Sequence, residues 1–149
     1  MTISIVFENN YLVIVNKPHG LATATGRQEN LCDRLFHARP ELSAVKGYRA
    51  GEGGLLNRLD NDTGGLVLFA KTDAAFAFYS RAMRHHKVTK YYHAITIGTP
   101  VQDEGVFDAP LAHARGSAKR MVPADGRQAS RGKRLSAETR WRVLRRRPP

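Results

Sequence analysis

The densest concentration of groups able to do chemistry lies in Asn57-Arg58-Leu59-Asp60-Asn61-Asp62-Thr63-Gly64-Gly65. A carboxylate, Asp60, stands two residues from a guanidinium, Arg58, in a loop that ends in glycines and precedes the apolar run Leu66-Val67-Leu68-Phe69-Ala70. Loops carried on a rigid scaffold are where proteins present reactive side chains. A carboxylate there can serve as a general base or as a nucleophile. The same residues satisfy a plainer reading, in which Asp62 and Thr63 form an Asx-type turn and Asp60 is a structural partner of Arg58. The local pattern leaves both open.

Other sites are excluded by spacing. Gly126-Arg127-Gln128-Ala129-Ser130-Arg131-Gly132-Lys133-Arg134 imitates a phosphate loop but has five residues between its glycines, and Arg134 stands where a Mg²⁺-binding Ser or Thr is required. His85 and His86 are adjacent, so they leave a helix in different directions, and no acid or thiol lies at ligand spacing; no metal site is expected. There is no Gly-x-Ser-x-Gly elbow. Cys32, the single cysteine, reads as a small core residue and excludes a disulfide framework within the chain, in keeping with a reducing cytoplasm.

The elements that must position Asp60 follow from periodicity. Thr2–Phe7 and Tyr11–Val15 are β-rich runs around Glu8-Asn9-Asn10 and read as a hairpin. The second strand runs into Lys17-Pro18-His19-Gly20, a loop. Asn30 caps a short helix over 31–38 that Pro40 stops, with Leu31 and Leu35 on one face. Residues 43–54, with four glycines, read as an irregular surface loop, and 66–70 as a buried strand. Thr72 or Asp73 caps a helix over 74–86 whose Phe76, Tyr79 and Met83 face the core. Lys90–Ile97 reads as a strand with Tyr92, Ala94 and Thr96 on one face, and 138–144 as another with Thr139, Trp141 and Val143 inward. Between them, 112–134 is basic and poor in apolar residues, either an RNA-facing insertion or a mobile loop.

Length and charge bound the function. With 149 residues, 42% hydrophobic and 25% charged, the chain reads as one soluble globular domain. No apolar run is long enough to span a membrane, and Glu8 interrupts the N-terminal apolar stretch too early for a signal peptide. Residues 1–74 balance eight Lys/Arg with eight acids, whereas 75–149 carry sixteen Lys/Arg against five acids and so hold the whole net charge of +11. Such a half is expected to face a polyanion, nucleic acid above all.

Taken together, these motifs resemble the RluA-type RNA pseudouridine synthases. That family's signature is an Arg-Leu-Asp core, usually preceded by His, followed by Asp-Thr-Ser-Gly and a run like Leu-Leu-Leu-Phe-Ala-Lys. Here Arg58-Leu59-Asp60 keeps the core, Asn57 replaces the His, Gly64 replaces the Ser, and Leu66–Lys71 follows. Leu12–Leu21 is similar to the family's first motif, Lys90-Tyr91-Tyr92-His93-Ala94 to its Lys-x-Tyr-x-Ala, and Gly132–Leu144 to its Lys-x-Ala-x-Thr strand. The match covers nearly the entire chain.

The resemblance implies an α+β fold, a mixed and mainly antiparallel sheet with flanking helices forming a single catalytic domain over 1–149. It implies isomerisation of uridine to pseudouridine in structured RNA, ribosomal or transfer, with no cofactor and no metal. Asp60 is then the catalytic carboxylate, as nucleophile or base. Arg58 takes the space vacated by the flipped uridine and holds flanking phosphate or base, and Tyr92 stacks on the target uracil. Lys17, Lys90, Arg115, Lys119, Arg120 and Arg127 contact phosphates. In the family a Thr-Gly-Arg-Thr-His-Gln-Ile-Arg-like motif follows, whose basic residue pairs with the catalytic Asp; its absence here implies a C-terminally incomplete domain of weak activity. Two other readings remain, a catalytically inactive RNA-binding remnant and a nonspecific basic nucleic-acid-binding protein.

Overall fold

The computed structural model describes residues 3–24, 29–116 and 120–146. The chain forms two compact units, Met1–Tyr91 and Tyr92–Pro149.

The first unit is built on a three-stranded antiparallel sheet in which β2 (Leu12–Lys17) lies between β1 (Ser4–Glu8) and β3 (Gly65–Ala70). Asn9 makes the expected hairpin, its Oδ1 accepting from the Tyr11 and Leu12 amides at 2.8 Å. Because side chains alternate along a strand, the β2–β3 register puts Val13, Val15 and Lys17 on one face with Val67 and Phe69, and Leu12 with Leu68 and Ala70 on the other. The first face packs against Leu31, Cys32 and Leu35 of α1 (Leu31–Ala38). The second packs against Ala75, Phe76, Tyr79 and Met83 of α2 (Asp73–Arg84).

Both helices begin where local chemistry supplies the missing acceptors. Asn30 and Asp33 form a reciprocal capping box on α1, and the Thr72 hydroxyl accepts from the Ala75 amide at 3.1 Å on α2. A 3-10 turn, Pro40–Ala44, follows α1. The stretch from 43 to 54, expected to be a surface loop, is partly interior: Val45, Glu52, Gly53 and Gly54 are buried. Loop composition signals the absence of a ladder, but burial here comes from packing against the sheet. Gly54 shows this most directly. A Cβ on it would stand 2.1 Å from the Ala70 carbonyl oxygen, and the Ala70 amide donates to its own carbonyl at 2.8 Å.

Glu8 closes the sheet's edge. Its two carboxylate oxygens receive Lys71 Nζ at 2.8 Å and Arg39 Nη2 at 2.6 Å, linking the end of β1 to the ends of β3 and α1. The hydrogen bond from Lys71, aided by Arg39, holds its carboxyl below the ordinary value of 4.5.

The second unit holds two smaller antiparallel sheets. β4 (Glu104–Phe107) pairs with β8 (Thr139–Arg142), and β5 (Leu111–Ala114) lies between β6 (Met121–Pro123) and β7 (Ser130–Leu135). The basic stretch 112–134, expected to be an insertion or mobile loop, is thus largely sheet. Its low apolar content misled because Ala112, Ala114, Val122 and Ala124 suffice for its thin interior. In β8, Trp141 is half-buried and stacks on Phe107, with ring centroids 6.0 Å apart, while Thr139 is exposed rather than inward.

The strand expected over Lys90–Ile97 is absent. These residues have no ladder partner among the described residues, and Ile95 and Ile97 are fully exposed. β-branched and aromatic alternation supplies propensity, but a strand exists only where a neighbour takes up its backbone hydrogen bonds.

Two outcomes follow. Gly54→Ala should destabilise the chain by about 1–3 kcal/mol in urea unfolding, the usual cost of overpacking. Gly64→Ser, where a Cβ meets only ordinary contacts at 3.4 Å and beyond, should stay within about 0.5 kcal/mol of wild type. Equal effects would contradict the packing described. As for pH, a carboxyl whose folded value is depressed contributes stability above its unfolded value that is lost as pH falls through the folded one. Acid unfolding of the wild type should therefore steepen below about pH 4.5, and Glu8→Gln should flatten that limb. An identical acid limb in the variant would show that the Glu8 pairs contribute nothing.

Candidate active site

The Arg58-Leu59-Asp60 segment leaves the core between Leu56 and β3 and is fastened at almost every residue. Asn57 Oδ1 accepts from the Leu68 amide at 2.9 Å and its Nδ2 donates to the Leu66 carbonyl at 3.1 Å, so the position that is usually His in the resembling family is spent on the backbone of β3. Thr23 holds the next turn from both sides: its hydroxyl donates to the Leu59 carbonyl at 2.7 Å and accepts from the Leu59 amide at 3.1 Å. The Asp60 carbonyl accepts from the Thr63 amide at 3.0 Å, closing the turn that the Asp-Thr-Gly sequence announces. The Asn61 carbonyl receives the Gly20 amide at 2.8 Å, and His19 Nδ1 donates to the Asp62 carbonyl at 2.9 Å.

Beneath this turn lies Lys17. It is fully buried, continuing the inward row of Val13 and Val15, and its ammonium donates to the carbonyls of Leu21 at 2.6 Å, Pro18 at 3.1 Å and Asn61 at 3.1 Å. Three donors meet three acceptors, which is how a buried ammonium is satisfied. Burial lowers its pKa from the ordinary 10.5, while the carboxylates of Asp62 and Asp60 pull it back up. The expectation that Lys17 contacts RNA phosphate is therefore corrected. A lysine at a strand end beside Pro and Gly reads as exposed, but its four methylenes follow the core row and its charge serves the protein's own backbone.

Asp60 itself is exposed, and among the described residues its carboxylate makes no hydrogen bond or ion pair. The alternative that it is a structural partner of Arg58 fails, because Arg58 Nη2 is bound to the carboxylate of Glu52. Glu52 is 2% exposed and Arg58 40% exposed. No sequence signal identified Glu52. It sits between Gly51 and Gly53 in a loop, six residues before its partner, and neither helical nor strand spacing relates them. Thr23 was missed for the same reason, since its partner Leu59 lies 36 residues away.

The remaining expected residues stand apart from this loop in the chain. Lys90 and Tyr92 lie in the unladdered segment, both exposed. Arg115, Arg120 and Arg127 are exposed in the second unit, with Arg120 Nη2 3.4 Å from Gln128 and Arg127 close to Asp125. Lys119 lies outside the described residues. Cys32 is buried in the α1 interface, which pushes its thiol up to about 12 and leaves it chemically quiet. Among the described residues no group of His, Cys, Asp and Glu could hold a metal ion.

Comparison with known proteins places the chain in a family. Residues 11–148 match the family model described as RNA pseudouridylate synthase. The chain is 36% identical over 147 residues to the ribosomal large subunit pseudouridine synthase D of Zymomonas mobilis and 33% identical over 146 residues to that of Nitrosomonas europaea. Each alignment covers 95% of this chain, which spans 44% and 38% of those relatives. Two solved structures share the fold, human RNA pseudouridylate synthase domain containing 1 and 4, with TM-scores of 0.71 and 0.67. Their identities are 20% and 24%, and the matches cover 93% and 95% of this chain and 51% and 53% of theirs. By the family model across almost its whole length and by its identity to these relatives, the chain belongs to the RNA pseudouridylate synthase family.

Proposed function

We propose that this chain carries the reacting carboxylate of an RNA pseudouridine synthase acting on ribosomal RNA. The observation that supports it best is the contrast at Asp60: a backbone fastened by Thr23, Gly20, His19 and Lys17, and a carboxylate left free toward solvent. A group held at its root and uncommitted at its tip is ready to meet a substrate, and holding reactants in place supplies a large share of catalysis. Ribosomal RNA is the choice because the relatives from Zymomonas mobilis and Nitrosomonas europaea are named for the large ribosomal subunit.

In the reaction, the bond between uracil N1 and ribose breaks, the base turns, C5 bonds to the ribose, and the C5 proton is lost while N1 takes one up. The base must first leave its stack, which costs a few kcal/mol. Asp60 acts on the glycosidic bond as nucleophile or base, Arg58 binds the RNA beside it, and Tyr92 stacks on the uracil. Stacking of this kind is worth roughly 1–3 kcal/mol per base. The second unit, with twelve Lys/Arg against five acids, holds phosphates through Arg115, Arg120, Arg127 and Lys119 and fixes register without reading sequence.

Tritium release from RNA labelled at uridine C5 tests the chemistry, with the chain alone and with the chain substituted for the matching segment of the Zymomonas mobilis relative. Release should occur in at least one form and vanish with Asp60→Ala. Release that survives the substitution, or none from either form, would overturn the proposal. For binding, affinity should fall steeply with salt, and neutralising Arg115, Arg120 and Arg127 together should lower the log–log slope by about 0.7–0.9 per lost phosphate contact. A slope unchanged by that triple substitution would remove these residues from the interface.

A further inference from the structure

His19 is tied to the turn that carries Asp60, yet only half of its ring is used in the tie. Three bonds fix its place. The Pro18 carbonyl before it accepts from Lys17 Nζ at 3.1 Å, the Gly20 amide after it donates to the Asn61 carbonyl at 2.8 Å, and its own Nδ1 lies 2.9 Å from the Asp62 carbonyl oxygen. Backbone and side chain are thus held against one turn, while the residue stays exposed to solvent. A carbonyl oxygen can only accept, so the proton of the neutral ring sits on Nδ1 and a lone pair remains on Nε2. Among the described residues Nε2 makes no hydrogen bond.

A nitrogen of this kind takes only a ligand that brings a proton. Phosphate and carbonyl oxygens offer none, whereas an O–H or N–H group does. Asp60, on the same turn, acts at the bond between uracil N1 and the ribose. In RNA the donor nearest that bond is the 2′-hydroxyl, on the adjoining carbon of the sugar. Uracil N3–H is a donor as well, but it moves when the base turns, while the sugar remains joined to the RNA backbone. Resting on the reading of Asp60 as the reacting carboxylate, we propose that His19 is a specificity-determining residue whose Nε2 accepts a hydrogen bond from the 2′-hydroxyl of the target uridine. It thereby favours ribose over deoxyribose at that nucleotide, the one group by which the two sugars differ. Because the ring is oriented before RNA arrives, little side-chain freedom is lost on binding.

Two substitutions at this exposed position separate the acceptor from the tie. His19→Asn sets an amide N–H where Nδ1 stood, so the bond to the Asp62 carbonyl survives and the outward acceptor is lost. His19→Gln does the reverse, placing an amide oxygen near the position of Nε2 and leaving the Asp62 carbonyl without its donor. Binding is read by fluorescence anisotropy, at mildly alkaline pH, with a short labelled RNA containing a single uridine and with the same RNA carrying 2′-deoxyuridine there. The wild type should prefer the ribose form by about threefold to tenfold, the net worth of one hydrogen bond. That preference should disappear in His19→Asn and persist in His19→Gln. A residue that merely holds the turn would show the opposite pattern, which would overturn the proposal, as would a preference retained in His19→Asn or lost in both variants. A wild type that binds the two RNAs equally would also overturn it while leaving the reading of Asp60 in place. A wild type that binds neither would overturn that reading, and the role of His19 with it.

Discussion

A lysine ammonium removed from water is the constraint on which the site depends. Lys17 gains nothing from burial by itself, since desolvating a charge is among the most expensive events in folding. It is tolerated because three backbone carbonyls converge on it, those of Pro18, Leu21 and Asn61. The first two belong to the loop that leaves β2, and the third follows Asp60 directly. The charge therefore brings two loops, 44 residues apart at Asn61, to one point and fixes them there. The sheet delivers it: Lys17 pairs with Gly65 at the end of the β2–β3 ladder and points to the same face as Val13 and Val15.

Once the turn is fixed, the other contacts divide between holding and presenting. Asn57 and Thr23 spend their side chains on backbone groups, so the polar positions around Asp60 are structural even though their types could do chemistry. Glu52 spends its charge on Arg58. Among the described residues no buried polar side-chain atom lacks a partner. A network satisfied throughout is stiff, and a stiff network is what lets one uncommitted carboxylate keep a defined place.

Much of the fold was legible because its signals are local. Asn30 with Asp33, Thr72 before an apolar helical stripe, and Asn9 between two β-rich runs each name an element from a few neighbouring residues. The Arg58-Leu59-Asp60 motif was legible as a pattern. What escaped was set by contacts distant in sequence. Lys17 reads as exposed until the core row beneath it is known. Glu52 has no periodic relation to Arg58. The alternation of Lys90–Ile97 promises a strand that, without a neighbour in this chain's described residues, does not form, and the segment stays exposed. The thin sheet of β5, β6 and β7 hid behind its basic composition, because alanines at alternate positions bury little and announce little.

The most direct measurement of the account is amide hydrogen exchange on the wild type and on Lys17→Met. In the wild type the Gly20 and Thr63 amides, which donate to the carbonyls of Asn61 and Asp60, should be protected. Removing the ammonium should release both while the β2–β3 ladder keeps its protection, because the loops lose their common anchor and the sheet does not. A folded Lys17→Met chain in which Gly20 and Thr63 exchange as slowly as in the wild type would contradict the claim that this buried charge positions Asp60.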